Sequence, residues 1–269
     1  MAPSHALDPF FQPRSVAVVG ASARPESVGH ALLKNLLFGR ADGARREEGF
    51  PGPVYAVNRK GGEILGQPVY TSLSEIGQPV DLVVIAVPGP FVQAVVEEAA
   101  EIGCRAAIVI SAGFAEVGEE GRRRQEALVA AARKKGLRLI GPNCLGVMRP
   151  SARLNASFGH APPPPGPIGL LSQSGALVTG LISYAESEHF GLSAAVSLGA
   201  KADIDDEEVV EWLADDEETR CIAVYTESFT RPRTVYEALR AAAAKKPVVA
   251  IKGGTSAAGA KAASSHTGA

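Results

Sequence analysis

Short runs of apolar, mostly β-branched residues alternate along the first half of the chain with segments of helical periodicity. This alternation predicts a strand at Ser15–Val19, a turn at Gly20-Ala21-Ser22 and a helix over Val28–Phe38. Later segments continue it, with predicted strands Val54–Val57, Leu82–Val87, Ala107–Ser111 and Arg138–Ile140 and predicted helices Phe91–Ile102 and Glu120–Lys135. Continuous apolar strands joined by helices favour an α/β fold with a parallel sheet covered on both faces.

A stiff proline-rich stretch, Ala161–Pro167, interrupts this alternation and is typical of an interdomain connector. The alternation then resumes, with predicted strands Ile168–Leu171, Ala194–Leu198, Cys221–Tyr225 and Val248–Ile251, and helices from Ala176, near Glu207–Ala214 and over Thr234–Ala244. We therefore predict a first domain over residues 1–150, a connector over residues 151–167 and a second doubly wound domain over residues 168–269. Because a layered domain should not end on a strand and a glycine-rich loop, we expect missing sequence after residue 269.

The composition excludes several classes of protein. The 269 residues, 46% hydrophobic and 21% charged, give ample length for two globular domains. A net charge of −2 without a basic stripe argues against nucleic-acid binding, and no apolar run reaches the roughly 18 residues of a membrane span. The N-terminus lacks a secretory signal pattern. The three cysteines (Cys104, Cys144 and Cys221) have no CxxC spacing, which indicates reduced thiols in a cytoplasmic protein and gives no support for a metal site.

The first strand leads into a loop of small and polar residues at the carboxyl end of the predicted sheet, where α/β proteins bind their ligands. Gly20 and Ser22 let the backbone approach a phosphate, and Ser27 precedes a helix whose N-terminus favours anions. The loop lacks the pattern GxGxxG, which weakens a plain NAD site but leaves other phosphate-bearing nucleotides open. A tight strand-to-helix turn without a ligand is the alternative.

The second loop, Asn58-Arg59-Lys60-Gly61-Gly62, places two cations beside glycines. In this position a cation suits a ribose phosphate, whereas NAD recognition would need an acid. Coenzyme A carries a 3′-phosphate and NADP a 2′-phosphate, so charge alone leaves both ligands open, together with a merely solvated pair of cations.

Apolar and amide-bearing loops follow later strands. Val87 and Pro88 lie in a small apolar loop of the kind that would form a wall around a pantetheine arm or a nicotinamide. The turn Gly141–Gly146 holds the amide of Asn143 and the thiol of Cys144. No histidine lies near Cys144 in sequence, so we interpret this thiol as a packing residue.

The second domain offers a second anion-binding turn and an imidazole. Ser172-Gln173-Ser174-Gly175 joins a strand to a helix N-terminus, which is suited to an anion, although helix capping explains one serine equally well. His266 stands among small residues after a Gly/Ala/Ser segment, where a large group can reach its ring, and neutral imidazole is a competent nucleophile near pH 7. Glu227 follows a strand and has the chemistry to orient that imidazole. A polar terminus and a surface acid are the alternatives.

Taken in order, these loops resemble the NDP-forming acyl-CoA synthetases, whose relatives include the α subunit of succinyl-CoA synthetase. The resemblance extends from Leu7 to Ala269 and rests on motifs that are weak singly but specific together: Val18-Val19-Gly20-Ala21-Ser22, Val57-Asn58-Arg59-Lys60-Gly61-Gly62, Val87-Pro88, Gly141-Pro142-Asn143-Cys144-Leu145-Gly146, Ser172-Gln173-Ser174-Gly175, Glu227 and Ser265-His266-Thr267-Gly268-Ala269. It implies a CoA-binding Rossmann-like domain followed by a flavodoxin-like ligase domain.

The resemblance also implies roles for individual residues. In the family, an acyl phosphate forms from acyl-CoA and phosphate, a histidine takes the phosphoryl group, and an ATP-grasp domain passes it to ADP. His266 matches that phosphohistidine and Glu227 the acid that holds it. The positions expected to contact CoA are Gly20, Ser22, Ser27, Lys60, Val87, Pro88 and Asn143, and those expected to hold the phosphate are Ser172, Ser174 and Gly175.

The chain departs from the family in carrying no ATP-grasp segment, which would hold ATP or ADP and Mg²⁺. We expect that part on a longer parent chain or on a β subunit, and we expect the protein to work as an oligomer on a small carboxylic acid. The acid itself and the choice between ADP and GDP stay open. Two alternatives remain: a non-catalytic CoA-binding module, for example of a fused acetyltransferase, and an NAD(P)-dependent oxidoreductase, which the missing GxGxxG disfavours.

Overall fold

A computed structural model describes residues 5–40 and 46–255 of the chain. The helices are α1 (Asp8–Phe11), α2 (Val28–Phe38), α3 (Gly89–Glu101), α4 (Glu119–Lys134), α5 (Gly175–Ser187), α6 (Asp206–Asp215) and α7 (Pro232–Ala243). The strands are β1 (Val16–Val19), β2 (Val54–Val57), β3 (Glu63–Ile64), β4 (Gln67–Tyr70), β5 (Leu82–Ile85), β6 (Ala106–Val109), β7 (Arg138–Ile140), β8 (Gly146–Arg149), β9 (Leu154–Ser157), β10 (Pro165–Ser172), β11 (Leu192–Ser197), β12 (Cys221–Thr226) and β13 (Val248–Lys252). Every long helix and every parallel strand predicted from the sequence is present within a few residues of its predicted bounds.

The first sheet has seven strands in the order β3-β4-β2-β1-β5-β6-β7. All neighbours are parallel except the pair β3–β4, which forms an antiparallel hairpin at one edge. Without β3, the strands follow the Rossmann order, in which the chain reverses direction beside β1. The predicted Rossmann-like domain is thereby confirmed, and the hairpin is an element that the sequence pattern did not predict.

The second sheet has six strands in the order β13-β12-β10-β11-β8-β9. Its four parallel strands, from β10 to β13, follow the flavodoxin-like order and confirm the predicted fold class. The antiparallel strands β8 and β9 complete the other edge. The predicted boundary at residue 150 therefore does not coincide with the division between the sheets. The stretch 151–167, predicted as a connector, contains β9 and the start of β10.

One continuous hydrophobic cluster joins the two sheets. It contains β1 and α2 side chains from the first sheet layer and β10, β11 and α6 side chains from the second. Phe11 of α1 stacks on Trp212 of α6 with ring centroids 3.7 Å apart, and the indole N–H of Trp212 donates to Asp8 at 3.0 Å. Because buried aromatic surface is a large part of packing energy, this contact holds the N-terminal segment against the second domain. Within residues 5–40 and 46–255, no helix has both the length and the apolar character needed to cross a membrane.

Backbone and ionic contacts also join the sheets. The N–H groups of Ala200 and Ala202 donate to the carbonyls of Pro142 and Gly141 at 2.9 and 3.0 Å. Beside them, the fully buried carboxylate of Asp203 accepts hydrogen bonds from the backbone of Leu139 and from two arginines, Arg133 and Arg138, at 2.8 to 2.9 Å. A buried carboxylate needs such partners, so this cluster fixes how the domains meet.

The loop after β1 and the start of α2 approach each other more closely than any side chain would allow. A Cβ placed on Gly29 would lie 1.9 Å from the carbonyl oxygen of Gly20, and one on Gly20 would lie 2.5 Å from the carbonyl oxygen of Ala86. Gly20 also has φ +96°, in the region that favours glycine. The glycines thus bring the N-terminus of α2 against the carboxyl ends of β1 and β5.

We expect Gly29→Ala to destabilise the protein by about 1–3 kcal/mol, since the added methyl group must displace backbone atoms. Gly180 in α5 is the matched control, because a Cβ there meets nothing within 4 Å. Gly180→Ala should stabilise the protein by about 0.5–1 kcal/mol through helix propensity. Thermal or urea unfolding of both variants measures the difference, and equal melting temperatures would contradict the close approach.

Candidate functional site

A cavity of about 1000 Å³ lies between the carboxyl ends of the two sheets. This volume is at the upper end of the range for small-molecule sites. Its lining comes from both domains and comprises Gly20, Ser22, Arg24, Ser27, Val28, Gly29, Asn58, Ala86, Val87, Pro88, Ile110, Ser111, Ala112, Asn143, Cys144, Leu145, Phe158, Gln173, Gly175, Ala176 and Thr179. The structure thus brings together seven predicted site residues from loops that are far apart in sequence: Gly20, Ser22, Ser27, Val87, Pro88, Asn143 and Gly175.

Two helix N-termini open onto this cavity. Ser27 caps α2 by accepting the N–H of His30, and Ser174 caps α5 by accepting the N–H of Leu177, both at 3.3 Å. The first N–H groups of a helix have no partner within the helix, and the helix dipole adds a partial positive charge there. One cavity therefore offers two places for anionic groups, one from each domain.

The loop after β1 is held in place by one side chain of the following helix, α2, and by one side chain of the loop itself. The ring Nδ1 of His30 donates to the carbonyl oxygen of Ser22 at 2.9 Å, and the hydroxyl of Ser22 accepts the N–H of Arg24 at 3.1 Å. Arg24 is exposed and also lines the cavity. The loop consequently presents a cation and a helix N-terminus to the same space.

Asn58 connects this loop to the loop that carries Lys60. Its amide donates to the carbonyl of Ala21 at 2.7 Å and accepts the N–H of Lys60 at 2.9 Å. Lys60 is exposed and lies outside the main cavity, in an adjoining cavity of about 480 Å³ that shares Ser22, Arg24 and Asn58 with it. Arg59, in contrast, lies over the ring of Phe91 at 5.2 Å. The two predicted cations thus have different surroundings: Lys60 lines the adjoining cavity, and Arg59 packs on Phe91.

Asn143 sits where the domains meet. It has φ +56°, and its N–H donates to the carbonyl of Ser111 at 3.0 Å. The hydroxyl of Ser111 in turn donates to the carbonyl of Val87 at 2.5 Å, so the loops that carry Val87, Pro88 and Asn143 are bonded together. These residues form one wall of the cavity, and the prediction that Val87 and Pro88 enclose a pantetheine arm or a nicotinamide stays a prediction.

The predicted phosphate-binding serines do not line the cavity. The hydroxyl of Ser172 is fully buried, donates to the carbonyl of Ser174 at 2.8 Å and accepts the N–H of the same residue at 3.0 Å. The hydroxyl of Ser174 caps α5. Both side chains therefore shape the turn, whereas Gln173, Gly175 and Ala176 line the cavity.

Glu227 lies beside this turn but outside the cavity lining. Its N–H donates to the side-chain oxygen of Gln173 at 2.8 Å, and its carboxylate accepts the hydroxyl of Tyr225 at 3.4 Å. Its side chain is half-buried. His266, the predicted phosphohistidine, lies outside the described residues.

The structure adds site residues that the sequence interpretation passed over. Asn58 and Gln173 stood within the quoted motifs, and their polar type at a strand end was the signal that pointed to them. Arg24 stood in the first loop without an assigned role. Phe158, which follows β9, is 39% exposed and lines the cavity, and it has no local signal in the sequence. Among residues 5–40 and 46–255 there is no cluster of three or more side chains suited to hold a metal ion.

Cys144 is one of the buried residues of the lining. Its thiol contacts the carbonyl oxygen of Val109 at 3.4 Å, and burial raises its pKa to about 12. Cys104 is likewise buried, with its pKa raised to about 11 by burial. Since the thiolate is the reactive form, the geometry gives Cys144 a packing role.

The two domains match two families. Residues 14–150 match the family described as CoA binding domain, and residues 165–269 match the succinyl-CoA ligase like flavodoxin domain. Together these matches cover nearly all of the chain in the order that the resemblance predicted.

Curated relatives carry the same pair of domains. The chain is 47% identical over 266 residues to the α subunit of acetate–CoA ligase [ADP-forming] I of Pyrococcus furiosus, covering 97% of this chain and 56% of the relative. It is 36% identical to 4-hydroxybutyrate–CoA ligase [ADP-forming] of Nitrosopumilus maritimus, covering 97% of this chain and 36% of the relative.

A solved structure has the same fold. Acetyl-coenzyme A synthetase 1 of Ca. Korarchaeum cryptofilum, in complex with phosphate and ADP, matches with a TM-score of 0.89 and 37% identity over 98% of this chain and 55% of the other. The chain thus spans about half the length of the Pyrococcus furiosus relative and of the Korarchaeum cryptofilum synthetase. The fold and the family matches define a CoA-binding α/β module. More narrowly, the chain belongs to the NDP-forming acyl-CoA synthetase family.

In the folded protein, a thiol reagent at neutral pH should modify the half-buried Cys221 well before Cys104 and Cys144, because burial suppresses both the thiolate and the approach of the reagent. Peptide mapping after timed iodoacetamide treatment measures the order. In the control Cys221→Ser, labelling should wait until the protein is unfolded in urea. Rapid labelling of Cys144 in the native protein would overturn its packing role.

Proposed function

We propose that this chain is the CoA-binding and phosphohistidine-bearing portion of an NDP-forming acyl-CoA synthetase. The observation that carries the proposal is the single cavity onto which the N-termini of α2 and α5 both open. The whole enzyme interconverts acyl-CoA, phosphate and ADP with carboxylic acid, CoA and ATP. The relative named as an α subunit and the neighbour with phosphate and ADP support this reaction.

The first domain supplies the CoA site. The N-terminus of α2, with Gly20, Ser22 and Ser27, receives the pyrophosphate. Because Gly29 lies against Gly20, no side chain separates this helix end from the loop after β1. Lys60, in the adjoining cavity, pairs with the 3′-phosphate. The wall formed by Val87, Pro88 and Asn143 leads the pantetheine arm toward the second domain, where the thioester reacts.

The second domain supplies the phosphate site. We assign the contact to the backbone at the start of α5, at Gly175, while Ser172 and Ser174 hold the turn in shape. The bound phosphate attacks the thioester carbonyl carbon, the C–S bond breaks, and CoA leaves as a thiol after taking a proton. The product of this step is an acyl phosphate.

His266 then carries the phosphoryl group. Its ring nitrogen attacks phosphorus, the P–O bond to the carboxylate breaks, and the free acid is released. Glu227 accepts a hydrogen bond from the other ring nitrogen and so stabilises the imidazole in its nucleophilic tautomer. At an ATP-grasp part, an oxygen of the terminal phosphate of ADP later attacks phosphorus and displaces the histidine. That part would hold Mg²⁺ and the nucleotide, and it belongs to the same longer chain or to a β subunit. We place this oligomeric enzyme in the cytoplasm, in keeping with its widely spaced cysteines.

CoA should bind the purified chain, and Lys60→Glu should weaken that binding about 10- to 100-fold, since a hydrogen bond to a charged group contributes about 1.5–3 kcal/mol. Lys134→Glu, which makes the same charge change at the end of α4 outside the cavity lining, is the matched control. Isothermal calorimetry measures both affinities. Equal loss in the two variants, or tighter binding of NADPH than of CoA, would contradict the assignment.

Acetyl phosphate should phosphorylate the full chain at His266 without an ATP-grasp part, because this half-reaction needs only the second domain. His266→Ala should abolish incorporation of radiolabelled phosphate, and Glu227→Gln should slow it about 100-fold or more, the range for positioned acid–base groups. The phosphoamidate bond to imidazole is acid-labile, which identifies the product. Unchanged labelling in His266→Ala would assign the phosphoryl group to another residue, and an unlabelled wild-type chain would favour a passive CoA-binding module.

A further inference from the structure

Three loops of the second domain converge on the backbone around Glu227. The loop between β10 and α5 contributes Gln173, and the loop between β11 and α6 contributes Lys201. The third segment is the end of β12 with the loop after it, and it holds Thr226, Glu227 and Ser228. Gln173 and Lys201 are 2% and 6% exposed, so neither is an ordinary surface residue. Their polar groups are directed at the segment that carries the carboxylate.

Gln173 binds the backbone on both sides of the Cα of Glu227. Its side-chain oxygen accepts the N–H of Glu227 at 2.8 Å and the N–H of Ser228 at 3.0 Å, and its amide donates to the hydroxyl of Ser228 at 3.1 Å. A single buried amide therefore fixes where the side chain of Glu227 begins. Gln173 also lines the cavity next to Gly175, so it connects the phosphate side of the cavity to Glu227.

Lys201 binds the residues before and after Glu227. Its ammonium donates to the hydroxyl of Thr226 at 2.7 Å, to the carbonyl of Ser228 at 3.0 Å and to Asp206 at 2.5 Å. These bonds use all three donors of a lysine. Burial raises the pKa of Asp206, and the ammonium opposes that shift. Since a buried ion pair adds little net stability, its contribution here is a fixed geometry.

The loop that carries Lys201 is itself anchored to the first domain. Ala200 and Ala202, on either side of Lys201, donate to the carbonyls of Pro142 and Gly141, next to the cavity residue Asn143. The ammonium of Lys201 thus connects the Glu227 segment to the loop between β11 and α6. This loop is in turn bonded to the first domain beside the cavity wall.

We propose that Gln173 and Lys201 are positioning residues that hold Glu227 at the distance from the start of α5 at which it can orient a phosphoryl-accepting imidazole. This inference rests on the proposed function. Neither residue exchanges a proton or forms a bond to phosphorus. Both act only through the backbone and side chains around Glu227.

The test measures acetyl phosphate-dependent phosphorylation of the full chain in Lys201→Met, Lys201→Arg and Gln173→Met. At saturating acetyl phosphate, the rate should fall about 100-fold in both Met variants, the loss that accompanies a displacement of about 1 Å in a reacting group. Lys201→Arg keeps a cation and donors and should recover part of the rate. CoA affinity by calorimetry should stay at the wild-type value in Lys201→Met, because Lys201 does not line the cavity.

Arg149→Met is the control for the loss of a buried cation. Arg149 is 2% exposed and pairs with Asp216 at 2.8 Å, away from the Glu227 segment. Its loss should lower the melting temperature as Lys201→Met does, with the phosphorylation rate of the folded protein unchanged. If Lys201→Met fails to fold, Gln173→Met, which removes no charge, decides the question.

The outcomes separate the two proposals. An unphosphorylated wild-type chain would reject the proposed function. A labelled wild-type chain with wild-type rates in Lys201→Met or in Gln173→Met would reject the positioning role alone. Equal slowing in Arg149→Met would show that the loss is a general effect of destabilisation, and this too would overturn the inference.

Discussion

The arrangement of this protein depends on a buried carboxylate at the junction of its two domains. Asp203 has no exposed side-chain area, yet both of its oxygens are hydrogen-bonded to groups of the first domain, namely two arginines and the backbone of Leu139. A carboxylate in this position is favourable only while all of these partners are present. The domains are thereby held in one relation, and the cavity between them keeps walls from both sheets.

Two helix N-termini, those of α2 and α5, offer anion-binding backbone at different places in this cavity. The N-terminus of α2 reaches the cavity because glycines remove the side chains that would hold it away, and the N-terminus of α5 reaches it because two serine hydroxyls are used inside the turn. Each helix end adds the partial positive charge of its backbone dipole to this cavity. A chain of slightly negative net charge thus directs two positive helix ends at one cavity.

The loops around the cavity are joined to one another by hydrogen bonds from polar side chains. Asn58 connects the first two loops of the Rossmann domain, Ser111 connects Val87 to Asn143, and Gln173 connects the start of α5 to the Glu227 segment. Each connection is a short polar contact between buried or half-buried groups, which resists displacement because breaking it leaves an unsatisfied donor or acceptor. A ligand that spans the cavity would therefore contact loops whose relative positions are already fixed.

The sequence by itself determined the α/β class, the positions of the parallel strands along the chain and most of the loops that meet at the cavity, because apolar periodicity and strand-end position are local properties. It did not reveal the hairpin β3–β4 or the strands β8 and β9, which are short and join their sheets through the pairing of β4 with β2 and of β8 with β11. Nor did it distinguish Ser172, turned inward, from Gly175, which faces the cavity, or reveal that Gln173 and Lys201 converge on one backbone segment. Those facts depend on contacts between residues far apart in the chain, and only the tertiary structure decides which of them form.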